Sequence, residues 1–152
     1  MFTTVVSLSL WTQPLNASAP ANENELGEQT ILRAVSSPYM EKDLALNSVL
    51  KELSDCESSG RVKLKILDTN NRYSYSKFQF QAKTFLSYGK KYGIISDKVS
   101  EEEIENYIYD ESLQNKIAGK MIENGLLEAN WVNCYRKMSE GAKEKYKFLL
   151  SN

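Results

Sequence analysis

The stretch Leu53-Ser54-Asp55-Cys56-Glu57-Ser58-Ser59-Gly60 places a carboxylate where a charge is unexpected. Leu46, Val49, Leu50 and Leu53 recur at the three- and four-residue spacing of one helix face, and Glu57 continues the same stripe. Gly60 is placed to stop that helix, so Glu57 falls in its last turn, where the helix dipole disfavours an anion and burial disfavours it again. A carboxyl kept protonated near neutrality by such surroundings can give its proton to a leaving group, as the cleavage of a glycoside requires. A solvated surface charge, or a partner for Lys51 or Arg61, accounts for the same residue, and at this level both readings stand.

Only one acidic residue, Asp68, follows within the next twenty positions. It is the candidate second carboxylate for a hydrolytic mechanism, and it also reads as an Asx-turn residue at the head of Asp68-Thr69-Asn70-Asn71. The two cysteines, Cys56 and Cys134, are an even pair that an exported chain would bridge, closing a loop of about 80 residues and adding about 4 kcal/mol of stability in the chain-entropy model. Two reduced, buried thiols are the alternative. The chain has no histidine and no C-x-x-C pair to complete a zinc site, so no metal is expected.

The elements that must position these residues are mostly helical. The patterning predicts a helix over 42–58, then alternation in Val62, Leu64 and Ile66 and again in Tyr73 and Tyr75, which suggests a short hairpin or extended loop around the polar turn. A second helix is expected from Phe80 to Gly93 with Phe85, Tyr88 and Tyr92 inward. Ser100 and Glu103 form a capping-box pattern for a third helix carrying Ile104, Tyr107 and Ile108, and Asp110 caps a fourth in which Leu113, Ile117, Met121 and Ile122 keep helical spacing until Gly125. A short helix is expected around Trp131, Cys134 and Tyr135. The fold class is therefore mainly α, with a small extended element inserted after the first helix.

The 152 residues suit one domain of ordinary size, with a net charge of −1. Residues 1–19 resemble an export signal, an apolar run ending in Ala17-Ser18-Ala19, without a basic residue before it. Residues 20–41 read as a polar linker, 42–138 as the domain, and 139–152 as a basic amphipathic tail. No apolar run reaches the roughly 20 residues that cross a bilayer. Arg61, Lys63, Lys65, Arg72, Lys77, Lys83, Lys90 and Lys91 make the middle of the chain basic, which either attracts polyanions or keeps the domain soluble.

Cys56-Glu57-Ser58-Ser59-Gly60, then Asp68 and Asn70-Asn71, then Tyr73-Ser74-Tyr75-Ser76-Lys77-Phe78-Gln79-Phe80 together resemble the catalytic core of the lysozyme-like superfamily, in particular its soluble lytic transglycosylase branch. In that branch a helix ends in Glu-Ser and a Gly-Leu-Met-Gln-Ile-type stretch follows about 20 residues later. The likeness runs from about Leu44 to Met138. Ser76 stands where the family has glycine, and Trp131 to Lys137 occupy the place of its Ala-Tyr-Asn-x-Gly motif without matching it. The resemblance implies a monomeric, exported enzyme that needs no cofactor and acts on peptidoglycan glycan strands rather than nucleic acid. It implies Glu57 as the acid that protonates the glycosidic oxygen between N-acetylmuramic acid and N-acetylglucosamine. Ser58 would fix the turn and Gln79 would hydrogen-bond sugar. Tyr75 is either a stacking wall or core packing. Two other classes fit the same residues: a lysozyme-fold domain that binds peptidoglycan without cleaving it, and an exported helical interaction protein that uses the basic stretch for a partner.

Overall fold

The computed structural model describes residues 38–151; the signal-like segment and all but the last four residues of the linker lie outside them. The described residues form six helices and a small antiparallel sheet, the mainly α architecture expected from the patterning. Helix α1, Pro38–Ser58, starts four residues earlier than the apolar stripe implied, because Pro38 suits a first helical turn whose N–H groups have no partner and Glu41 favours its positive end. It buries Ala45, Val49, Leu50 and Leu53. Two left-handed residues end it, Ser59 at φ 55° and Gly60 at φ 74°, with the Gly60 N–H donating to the Ser54 carbonyl at 3.0 Å.

The extended element is a three-stranded sheet, one strand more than a hairpin. Strands β1 (Lys65–Leu67) and β2 (Tyr73–Tyr75) pair antiparallel with Ile66 opposite Ser74, and β2 pairs with the two-residue β3 (Phe80–Gln81), Tyr75 opposite Phe80. The chain enters α2, Ala82–Lys91, directly from β3, two residues after the expected start, since Phe80 is held in the sheet.

Around Ser100 no full helix forms. The Ser100 N–H does donate to Glu103 Oε2 at 2.9 Å, half of the expected capping box, but only a 3₁₀ turn at Ile104–Asn106 follows. Four carboxylates at 101, 102, 103 and 105 repel one another in so short a segment, and one turn already buries both Ile104 and Ile108. Helix α3, Glu111–Glu123, agrees with its sequence signals: the Asp110 carboxylate accepts from the Leu113 N–H at 3.0 Å, and Gly125 at φ 76° follows its end. Short helices α4 (Leu127–Asn130) and α5 (Val132–Lys137) flank Trp131.

The C-terminal stretch expected as a tail is helix α6, Glu140–Leu150, an integral part of the core. Ala142, Tyr146 and Leu149 are buried on the face it turns inward. Ser139 caps it while donating its own N–H to Glu52 of α1 at 3.0 Å, and Lys145 reaches Ser48 at 2.8 Å, so the helix is fixed along α1 by polar as well as apolar contacts. Its amphipathic pattern is that of a helix with a partner inside the same domain.

Candidate active site

The site is built on the turn at 76–79, between β2 and β3. Ser76 adopts φ 61° and Gln79 φ 50°, so the sharp left-handed turn associated with glycine is made by serine. The turn's carbonyls are each anchored from a different direction. That of Ser76 accepts from Gln79 Nε2 at 2.6 Å, that of Lys77 from Ser58 Oγ at 2.9 Å, and that of Phe78 from Trp131 Nε1 at 2.9 Å. The end of α1 and the Trp131 junction, 73 residues apart in sequence, are thereby tied to one turn. The disulfide Cys56–Cys134, closing 78 residues, ties them a second time.

Glu57 lies half-buried between these ties, at the wall of a cleft of about 430 Å³. Neither proposed ion-pair partner reaches it: Lys51 pairs with Asp55, and Arg61 Nε donates to the Ser58 carbonyl at 2.8 Å. No hydrogen bond or ion pair engages the Glu57 carboxyl among the described residues. Burial, and after it the charge of Asp68, raise its pKa above the ordinary value, against a smaller pull downward from Lys137. Glu57 is thus paired with neither Lys51 nor Arg61.

Asp68 faces the same cleft. Its carboxylate accepts from Ser74 Oγ and from Gln81 Nε2, so it is held in place from two strands. The Asx-turn role belongs instead to Asn70, whose Oδ1 accepts from the Arg72 N–H at 3.0 Å. Gln79 lines the cleft; with Nε2 committed to Ser76, its Oε1 is the atom left to accept from a ligand hydroxyl or amide.

Neither Tyr75 nor Ser58 lines the cleft. Tyr75 is buried, 7% exposed, packed edge-on against Tyr109 at 5.9 Å, and does not line the cleft; the strand period turns it away from the face that carries Ser74. Ser58 is buried too, and acts by holding the turn rather than by touching a ligand. The apolar part of the wall comes from Ile66, Phe80 and Trp131, and further polar groups from Thr84 and Asn130. Gln81 had a signal in the Phe78-Gln79-Phe80-Gln81 alternation. Asn130 had none, and Trp131 stood out only as the start of a stretch that replaces a family motif; its contact with the turn spans 53 residues of sequence.

Ser76 carries a measurable cost. It is fully buried, its Oγ has no hydrogen-bond partner among the described residues, and its backbone is left-handed. Ser76→Gly removes both penalties and adds back the larger freedom of glycine in the unfolded chain, for an expected net gain of about 1 kcal/mol and a melting temperature higher by a few degrees. An unchanged or lower melting temperature would show that the hydroxyl has a stabilising role.

Glu57 also links stability to pH. Its carboxyl binds a proton more tightly in the folded than in the unfolded chain, so its contribution is fully present below the ordinary value of 4.5 and is lost as pH rises through the raised folded value. Glu57→Gln does not titrate. Its stability relative to wild type should therefore grow as pH rises from the ordinary value of 4.5 through the raised folded value. Urea midpoints in that range measure the difference, and a difference that stays flat with pH would contradict the raised pKa.

Among the described residues no helix is long and apolar enough to cross a membrane, and no group of acidic or cysteine side chains is placed to hold a metal ion. Known family models, curated proteins and solved structures contain no match to this chain.

Proposed function

We propose that the protein is a peptidoglycan lytic transglycosylase, exported and acting as a monomer, with Glu57 as its acid and then its base. The observation that carries this reading is the carboxyl itself, half-buried, unpaired, raised in pKa and set in an open cleft with amide and hydroxyl groups around it. The resemblance of Glu57-Ser58 and of the 76–80 stretch to the lysozyme-like superfamily supplies the substrate.

Glu57, protonated, gives its proton to the oxygen that leaves from C1 of N-acetylmuramic acid. The substrate's acetamido oxygen closes on C1 as that bond breaks. Glu57, now a carboxylate, takes the proton of the 6-hydroxyl, whose oxygen displaces the acetamido group and forms the 1,6-anhydro ring. No water enters, so one carboxyl suffices. The Asp68 carboxylate supports positive charge developing at C1, and Gln79 and Gln81 orient sugar amides and hydroxyls. The disulfide accords with an oxidising compartment.

A second reading, hydrolysis, has one observation in its favour: Asp68 faces the same cleft as Glu57 and could activate a water there. Zymography against purified peptidoglycan tests the enzyme reading. A cleared zone supports it, whereas binding to the insoluble wall without clearing assigns the cleft to a non-catalytic binding domain.

A further inference from the structure

A second cavity, of about 370 Å³, adjoins the cleft and shares Gln81 with it. Its wall carries two cations, Arg72 after the β1–β2 turn and Lys83 in the first turn of α2, together with Tyr73, Tyr75 and one opposing carboxylate, Glu101. Elsewhere in the basic stretch Lys65 and Lys77 are spent on Glu105 and Glu111, at 2.6 Å each. The side chains of Arg72 and Lys83 have no hydrogen-bond or ion-pair partner among the described residues. Helix α2 begins at the same wall, and its cap, Gln81, makes no side-chain bond to the first turn.

We propose that this cavity binds a carboxylate of the stem peptide that branches from the muramyl sugar. The inference rests on the transglycosylase reading for its substrate. The peptide branches from the lactyl group of a muramyl sugar and its first residues carry carboxylates, so a cationic cavity that shares a lining residue with the main cleft suits it. Arg72 presents a planar fork suited to a carboxylate, Lys83 a point charge, and Glu101 repels the anion and is outnumbered. Gln81, which bonds Asp68 on one side and faces this cavity on the other, borders both.

The experiment uses purified peptidoglycan freed of phosphate-bearing polymers, intact or stripped of its peptides by an amidase, and measures sedimentation of the full chain carrying Glu57→Gln. A version with Arg72→Gln and Lys83→Gln is compared; both positions are exposed, so the fold is not at stake. Affinity for the intact wall should fall about tenfold at moderate salt, and affinity for the stripped glycan should not change. Equal weakening on both substrates would mean a diffuse charge effect and overturn the subsite, as would no weakening on either. Binding by neither protein to either substrate would overturn the peptidoglycan reading itself, and the subsite with it.

Discussion

Replacing Glu57 by glutamine should lower wall degradation by at least about 100-fold, the scale set by losing a general acid. The amide is nearly isosteric, and because no hydrogen bond or ion pair among the described residues holds the carboxyl, the change leaves no buried partner there unsatisfied. The protein should fold as before and be more stable near neutrality, in the pH sense derived above. Loss of activity with gain of stability in one variant separates a chemical role from a structural one, since a residue kept for packing loses both. Rates of turbidity loss on purified peptidoglycan, beside urea midpoints, measure the pair. Equal rates for wild type and Glu57→Gln would remove Glu57 from the chemistry.

Breaking the Cys56–Cys134 bridge should have the largest effect on stability. The bond closes 78 residues, and removing it frees the unfolded chain by about 4 kcal/mol in the chain-entropy model. It also joins the last turn of α1 to α5, the two sides of the cleft. Reduction, or Cys56→Ser with Cys134→Ser, should lower the melting temperature by roughly 10 °C or more. Activity should fall at temperatures where the chain is still folded, because Glu57 and Trp131 then share only the 76–79 turn. A melting temperature unmoved by reductant would count against the bridge as a main support.

The helical frame was legible where a stripe and its stop signals agreed, as in α3 between Asp110 and Gly125. It failed where one signal stood alone. The Ser100–Glu103 box promised a helix that acidic repulsion and a short span reduced to one turn, and the amphipathic pattern of 140–150 could not reveal that its apolar face had a partner in α1. In the cleft, Glu57, Asp68 and Gln79 were readable because a charge on an apolar stripe, a lone acid and an aromatic-flanked amide are local oddities. Tyr75 was ambiguous until the strand register turned its ring inward. Asn130 could not be found, and Trp131 showed only as a position in an unmatched motif, because their place depends on a bond between the indole N–H and the Phe78 carbonyl, a pairing 53 residues long that no local pattern encodes. The serine at 76 reads in sequence as a departure from a glycine turn; the fold keeps the turn and bears the strain.

The ends of the fragments released from purified peptidoglycan test the proposed chemistry most directly. Wild-type protein and Glu57→Gln are incubated with the same purified wall, and the soluble products are weighed by mass spectrometry. With Glu57 as acid and base and the 6-hydroxyl as nucleophile, wild-type fragments end in 1,6-anhydromuramyl groups, one water lighter than reducing ends, and the variant releases almost none. Reducing ends from the wild type would transfer the second step to water and Asp68. No fragments from the wild type, or the same fragments at the same rate from both proteins, would contradict Glu57 as the residue that breaks the glycosidic bond.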